Sequence, residues 1–377
     1  MTRICALVAP LSLAGCGLVF GGGEPEDPVD SVAHDLAEFD ALASDLESAR
    51  TLELDEQVDA IQTGGDWLAW LEGGTTAQFG ARKLPGGIDR SGPVPIGDEQ
   101  TAWNFRMSSS HAMTAHRAGG QVLYQAWSLD EGALVDELEL PEPVGANWSP
   151  YALIEDRAWV IEDQVGAHSV LHWQLGVEPA TPAGTLEQAG VDVDTLFDFG
   201  VAGAIGSERL VVLADARLWL VEVGSWTATW IETDTEVGDS LAWSDRDLLF
   251  TTADGGLHVY SFIDGSRRRI DEELAASDWQ LNATYTNIHL PTGEGATLVG
   301  ARVVYLGSAG LFAYGLDDGA IEPVLLEPRW DPEGEAPRIE YVDLWPLGDA
   351  RVIVTGLESE SGSVGADGPV YSVEVDR

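Results

Sequence analysis

The strongest constraint on the fold is a short segment that recurs along the chain at a loosely regular spacing. Each copy is apolar or alternating in polarity and ends at a polar turn. Seven copies occur, at 78–84, 122–129, 170–175, 218–223, 257–263, 311–316 and 370–375. The steps between the turns that follow them are 45, 46, 48, 40, 54 and 58 residues. Because the segments lack the 3.6-residue periodicity of helices, they are predicted to be strands of a repeat architecture.

A second strand precedes most of these segments, and a third often follows. The preceding strands are predicted at 67–71, 159–161, 210–213, 248–251, 303–306 and 352–354, with a weaker one at 112–115. Turns such as Ala253-Asp254-Gly255-Gly256 supply the positive φ of tight hairpins. Third strands are predicted at 227–231, 266–270 and 321–326. The unit is thus strand, hairpin, strand, turn, strand, which predicts an all-β propeller of seven blades, with six or eight as open alternatives.

The two ends of the chain are expected to meet in the last blade. The sequence stops at Arg377, two residues after the final segment, so that blade lacks an outer strand. Residues Arg50–Asp55 alternate in polarity and precede the first hairpin. We expect residues 50–56 to pair with 370–375, which closes the ring and removes free edges. The propeller domain is therefore predicted to span 50–377.

The N-terminus has the layout of an export signal. Arg3 precedes a short apolar run, Ile4–Leu13, which is too short to span a bilayer. The stretch Leu13-Ala14-Gly15-Cys16 resembles the lipobox of bacterial lipoproteins. That resemblance implies cleavage of residues 1–15 and acylation of Cys16, which would then anchor the protein to a membrane. An ordinary secretory signal is the alternative.

Two further segments are expected between Cys16 and the propeller. Residues 16–29 are rich in glycine, proline and acids and are predicted to form a flexible tether. Apolar residues recur at helical spacing within 30–49, which predicts a short amphipathic helix. Gly17 follows the lipobox cysteine, and under the sorting rule of enteric bacteria this favours the outer membrane over the inner one.

The charge of the chain excludes one class of partner. Asp and Glu outnumber Lys and Arg by 64 to 19, which gives a net charge of −45. A nucleic-acid binder needs a basic surface, so nucleic acid is not an expected partner. Such a charge also keeps molecules apart, and we expect a soluble monomer. The one basic run, Arg267-Arg268-Arg269, lies among acids and is expected to pair locally.

Two segments resemble the quinoprotein-like repeat. Leu257–Gly265 and Leu311–Gly319 read as a strand ending in aromatic-x-hydrophobic-Asp before a glycine turn, and Leu218–Trp230 fits loosely. The likeness is to propellers of the quinoprotein-like and WD40-like type. Envelope lipoproteins of this type, similar to the propeller subunit of the outer-membrane β-barrel assembly machinery, are scaffolds without enzyme activity. The resemblance implies the fold and such a role.

Motifs that carry chemistry are scarce, and no catalytic or cofactor-binding residue is predicted. The chain has two cysteines, Cys5 and Cys16, so the adjacent disulfide of quinone dehydrogenases is absent. His168 and His172 fall on one face of a predicted strand, about 13 Å apart, which is too far for one metal. His111 and His116 are placed in a serine-rich loop and given no role. Calcium is a possible ligand of two acidic segments, Asp192/Asp194/Asp198 and 233–239.

The tryptophans divide into two groups. Trp67, Trp159, Trp173 and Trp219 lie in predicted strands and are expected in the core. Four others fall in predicted loops and are candidates for a ligand face: Trp103, Trp148, Trp279 and Trp330.

Three functions remain open at this stage. The leading hypothesis is a non-enzymatic, lipid-anchored envelope propeller that binds a protein or polymer as a scaffold. The first alternative is an extracytoplasmic enzyme that acts on glycans through loop carboxylates. The second is a structural cell-surface protein whose charge serves solubility in salt.

Overall fold

The computed structural model describes most of residues 50–375. The described ranges are 50–54, 60–72, 78–93, 105–118, 120–141, 151–164, 167–177, 179–193, 196–204, 207–275, 295–307, 310–326, 339–358 and 370–375. All of them belong to the compact unit Asp40–Arg377. The predicted signal sequence, Cys16, the tether and the helix 30–49 lie outside the described residues. In the described part of the chain, no helix is long and apolar enough to cross a membrane.

The described strands form seven four-stranded antiparallel sheets, which are the blades of a propeller. Strand β1 (Arg50–Leu54) comes first in the chain. Blade 1 then holds β2 (Ala60–Gly64), β3 (Trp67–Glu72), β4 (Gln78–Lys83) and β5 (Asp89–Pro93); blade 2 holds β6 (Phe105–Met107), β7 (His111–Ala118), β8 (Gln121–Ser128) and β9 (Ala133–Pro141). Blade 3 holds β10 (Tyr151–Ile154), β11 (Arg157–Gln164), β12 (Ala167–Gln174) and β13 (Thr181–Thr185), and helix α1 (Leu186–Ala189) follows it.

The remaining blades repeat this order. Blade 4 holds β14 (Leu196–Ala204), β15 (Ser207–Ala214), β16 (Arg217–Glu222) and β17 (Thr227–Ile231). Blade 5 holds β18 (Val237–Trp243), β19 (Asp247–Thr252), β20 (Leu257–Ser261) and β21 (Arg267–Arg269), and helix α2 (Asp271–Ala275) follows it. Blade 6 holds β22 (Ala296–Val299), β23 (Arg302–Gly307), β24 (Gly310–Gly315) and β25 (Ile321–Leu326); blade 7 holds β26 (Ile339–Leu347), β27 (Arg351–Glu358) and β28 (Val370–Glu374).

The ring closes as the sequence predicts. Strand β1 pairs antiparallel with β28, with Arg50 opposite Val373 and Leu54 opposite Val370, and forms the fourth strand of blade 7. The first strands of consecutive blades contact one another around the whole circle, and β26 contacts β2. These strands therefore surround the central axis, and the fourth strands lie at the periphery.

The prediction of three strands per blade was wrong, because each blade has four. The sequence does not indicate the first strands of the blades. They are short in several blades, such as β6 with three residues and β10 and β22 with four. A strand buried on both sides by neighbouring blades does not alternate in polarity, so its sequence gives no period-2 signal.

The core consists of apolar clusters between neighbouring blades. Trp67, Phe79, Met107 and Leu129 pack between blades 1 and 2, and Tyr124, Tyr151 and Trp173 pack between blades 2 and 3. Similar clusters lie between blades 3 and 4, 4 and 5, 6 and 7, and 7 and 1. Between blades 5 and 6, the guanidinium of Arg268 lies 5.5 Å from the ring centre of Tyr314. Each blade thus buries both faces of its sheet against its neighbours.

Candidate binding face

The turns of the propeller fall on two opposite faces. The turns that join first to second and third to fourth strands lie on one face, called here the short-turn face. In the described residues it comprises 65–66, 84–88, 108–110, 129–132, 155–156, 175–177, 179–180, 223–226, 244–246, 262–266, 300–301, 316–320 and 348–350. The other face, called here the long-loop face, carries the second-to-third turns and the connections between blades; in the described residues it includes 215–216, 232–236 and 253–256.

A repeated backbone hydrogen bond holds the short-turn face in place. In six blades the N–H of the residue after the third strand donates to a carbonyl of the first-to-second turn in the same blade; five of these residues are buried, and Leu316 is half-buried. The donor–acceptor distances are 2.8–3.0 Å, for Leu84 to Asp66, Leu129 to Ser110, Leu175 to Asp156, Phe262 to Arg246, Leu316 to Ala301 and Val375 to Ala350. We call these six donors the anchor residues. They lie at the end of the repeated segments of the sequence or, for Phe262, one residue before it.

Polar bonds also link the outer part of one blade to the third-to-fourth turn of the next. Arg90 of blade 1 donates to the Asp130 carbonyl at 2.7 Å, and Asp136 of blade 2 accepts from the Gly176 N–H at 2.9 Å. Arg209 of blade 4 donates to the Phe262 carbonyl at 2.9 Å. Trp226 Nε1 of blade 4 donates back to the Thr185 carbonyl at 2.9 Å. Different side chains thus bond to the third-to-fourth turns of blades 2, 3 and 5, and the turn of blade 4 bonds to blade 3.

Carboxylates surround the central opening of this face. The first-to-second turns of alternate blades supply Asp66, Glu155, Asp156, Asp245 and Asp349. The pKa of Asp245 is raised by burial, and the negative charges of Asp349 and Glu155 raise it further. Those two residues belong to blades 7 and 3, whereas Asp245 belongs to blade 5. Because these blades are not neighbours, the repulsion acts across the opening.

The rim of the face carries apolar tips in blades 1, 3 and 5 and acidic tips in blades 2 and 6. Ile88, Val177 and Ile263 stand on the third-to-fourth turns of blades 1, 3 and 5, with 48%, 71% and 63% of their surface exposed. Exposed acids occupy the equivalent turns of blades 2 and 6, namely Asp130, Glu131, Asp317 and Asp318. Apolar tips held on rigid turns lose little conformational entropy when they are covered, so they suit a protein interface.

The predicted acidic and basic segments have local roles in the described residues. Asp234 pairs with Arg267 at 3.4 Å, and Arg269 pairs with Asp254 and Asp271 at 2.9 and 2.8 Å, as expected for the basic run. Asp192 follows α1, Asp194 lies outside the described residues, and Asp198 and Asp239 lie in β14 and β18 without described side chains. Among the described residues, no group of three or more His, Cys, Asp and Glu side chains is placed to hold a metal ion.

The predictions for histidine and tryptophan have mixed outcomes. Trp67, Trp159 and Trp173 are buried and Trp219 packs against the core, as predicted. Trp103, Trp148, Trp279 and Trp330 lie outside the described residues. His168 and His172 lie in β12, where His168 Nδ1 is 2.7 Å from Glu187 Oε1 and the His172 ring makes a tilted contact with Trp159, with ring centres 4.6 Å apart. The placement of His111 and His116 in a loop was wrong, because both lie in β7.

Comparison with known proteins adds to this picture at the level of fold only. No protein-family model and no curated protein sequence matches the chain. Among solved structures, it is similar to BamB from Moraxella catarrhalis, with 11% identity over 85% of this chain and 86% of that one and a TM-score of 0.45. It is also similar to the Cps50 (Swd1) β-propeller domain of Myceliophteria thermophila, with 15% identity over 86% and 99% and a TM-score of 0.48. The chain is a seven-bladed β-propeller by its own sheet topology.

Proposed function

We propose that this protein is a binding module, which presents its short-turn face to a protein partner. The observation that carries the proposal is the set of exposed apolar tips, Ile88, Val177 and Ile263, held on rigid turns around an acidic opening. Apolar contacts at the tips supply affinity, and the carboxylates select partners of opposite charge and speed their encounter.

We further propose that the module is anchored in a bacterial envelope through acylated Cys16. The lipobox-like stretch Leu13–Cys16 and the tether-like composition of 16–29 support this assignment. Gly17 after the cysteine favours the outer membrane over the inner one. A lipid anchor and a flexible tether hold the propeller near membrane partners and so raise their effective concentration.

Anchoring is tested by the intact mass of the protein from membranes of its native host. We expect a chain that begins at Cys16 and carries acyl groups, and we expect a Cys16→Ser variant to leave the membrane fraction. An unmodified chain cut elsewhere and found in the soluble fraction contradicts the anchor.

The binding face is tested by photo-crosslinking in the native host. A photoreactive residue is placed at Val177 or at Ile263, and the control position is Glu236, which is exposed on the opposite face. We expect one discrete adduct of the same mass from Val177 and Ile263, and none from Glu236. An adduct from Glu236 alone contradicts the proposed face and favours the long-loop face, where a glycan-acting enzyme would carry its site.

A further inference from the structure

A serine and a histidine form a hydrogen-bonded pair on the short-turn face of blade 2. The first-to-second turn there reads Ser108-Ser109-Ser110, and His111 begins β7. Ser110 Oγ lies 2.9 Å from His111 Nδ1, and both residues are partly exposed. The two side chains are thus in contact with each other, and both are accessible to a ligand.

The turn itself does not depend on this pair. Ser108 builds the turn, because its Oγ accepts from the N–H groups of Ser110 and His111 at 3.3 and 3.0 Å and donates to the Glu155 carbonyl at 2.6 Å. The Ser110 carbonyl accepts the anchor bond from Leu129. Only backbone atoms of Ser110 are used in these contacts, so its hydroxyl is left to the imidazole.

The contact at Nδ1 indicates how the pair can share a proton. Nδ1 of His111 is the ring atom that faces Ser110 Oγ. We assign the proton of the neutral ring to Nε2, so that Nδ1 is an acceptor and the Ser110 hydroxyl donates to it. A serine nucleophile makes the same hydrogen bond with its general base.

We propose that Ser110 is a nucleophilic serine that accepts an acyl group from an activated ester, with His111 as its general base. Ser110 Oγ bonds to the ester carbonyl carbon while its proton passes to His111 Nδ1. The ester C–O bond breaks, and the leaving alkoxide takes that proton from His111. The products are an acyl-serine and a free alcohol, and no oxidant or reductant is needed.

The surroundings favour this chemistry and restrict the ester. Burial lowers the pKa of His111, so the ring is neutral and basic at neutral pH, while the Glu155 carbonyl and the acids Asp156, Asp130 and Glu131 act in the opposite direction. Those charges stabilise the imidazolium as it forms. They also repel a substrate that carries a carboxylate, so the site favours neutral or cationic esters. This inference goes beyond the proposed partner binding, and its test on the isolated chain does not require a partner.

The test uses the whole chain and a fluorophosphonate probe, whose fluoride leaves as Ser110 Oγ bonds to phosphorus. We expect peptide mapping to find the label on Ser110, and Ser110→Ala to remove it. Ser109→Ala is the matched control and should keep it. His111→Gln should slow labelling about 100-fold, the usual contribution of a general base. In the unaltered chain, labelling should rise with pH and reach half its maximum below pH 6.5, the ordinary pKa of histidine.

Two results overturn the proposal. One is labelling at Ser110 that is no faster in the folded chain than in the same chain unfolded in urea. The other is label spread over Ser108, Ser109 and Ser110, or none at all. Circular dichroism of each variant shows whether it is folded, and a second probe, p-nitrophenyl acetate, should release about one equivalent of nitrophenol in a burst that Ser110→Ala lacks.

Discussion

The first-to-second turns of blades 2 and 5 share one backbone arrangement but differ in the side chains they present. In blade 2 the turn is Ser108-Ser109-Ser110 followed by His111; in blade 5 it is Ser244-Asp245-Arg246 followed by Asp247. In both, the first serine accepts from the backbone N–H groups two and three residues later. In both, the carbonyl of the third residue accepts a hydrogen bond from an anchor residue, Leu129 in blade 2 and Phe262 in blade 5.

Outside these bonds the two turns diverge. Arg246 stands where blade 2 has Ser110, and it pairs with Asp317 of blade 6 at 3.5 Å. Asp247 stands where blade 2 has His111. Burial lowers the pKa of His111 and raises that of Asp247, so the uncharged form gains in both. The two turns therefore share a frame of hydrogen bonds to backbone groups, whereas the side chains at the second to fourth positions differ and can carry function.

The largest expected effect comes from removing an anchor side chain from the frame. Leu129 and Phe262 are buried between blades, and Leu129→Ala or Phe262→Ala should lower the free energy of unfolding by about 3 kcal/mol. Ile263, the next residue after Phe262, is exposed, and Ile263→Ala should change stability by less than about 0.5 kcal/mol. Urea denaturation measures both. Equal losses of unfolding free energy for Phe262→Ala and Ile263→Ala would contradict the assignment of Phe262 to the core and of Ile263 to the surface.

A smaller loss of stability should follow from removing the first serine of either turn, Ser108 in blade 2 or Ser244 in blade 5. Ser108→Ala removes the bond to the Glu155 carbonyl of blade 3 as well as those within the turn, and should cost about 2 kcal/mol. Ser244 is less buried, and its bonds stay within its own turn, so Ser244→Ala should cost about 1 kcal/mol. The comparison is again made by urea denaturation, and a larger loss for Ser244→Ala would overturn the assignment of Ser108 as a link between blades.

The smallest effect concerns the middle residue, Ser109 in blade 2 and Asp245 in blade 5. The pKa of Asp245 is raised by burial and by Asp349 and Glu155, so the folded state binds a proton more readily than the unfolded state. The unfolding free energy therefore falls as pH rises from 3.8 through the raised pKa. Asp245→Asn should be more stable than the natural chain at pH 7, by only a few tenths of a kcal/mol because Asp245 is exposed.

The dependence on pH and salt provides a control for the gain in stability of Asp245→Asn. The gain should vanish below pH 3.8, where Asp245 is protonated in both states, and shrink in high salt. Ser109→Asn in blade 2 removes no charge and should show no such pH dependence. A gain for Asp245→Asn that is the same at pH 3 and pH 7 would argue against repulsion across the opening.

Much of the frame could be predicted from sequence, because its signals are local. The third strands end in a buried residue before a turn, so their spacing gave the number of blades, and the alternation of 50–55 gave the closing strand β1. The first strands could not be found, because burial on both sides removes alternation. The acidic opening was also missed, since Asp66, Glu155, Asp245 and Asp349 are far apart in sequence and meet only through the ring.

The serine–histidine pair was missed for a related reason. Ser110 and His111 are adjacent in sequence, and a serine next to a histidine gives no sign that the two side chains touch. Their contact depends on the turn that Ser108 holds and on the Glu155 carbonyl of the next blade. The sequence predicts a loop at His111, whereas β7 begins there. The run of three serines before a histidine is the one sequence signal for the pair.

Cysteine accessibility in the native envelope tests whether a partner covers the short-turn face. Because Cys5 and Cys16 are the chain's only cysteines, Val177→Cys, Ile263→Cys and Glu236→Cys each place a single thiol in the propeller. We expect maleimide to modify the first two much more slowly in intact envelopes than in the purified protein, and Glu236→Cys equally fast in both. Equal rates at all three positions, or slowing at Glu236→Cys alone, would contradict coverage of this face by a partner.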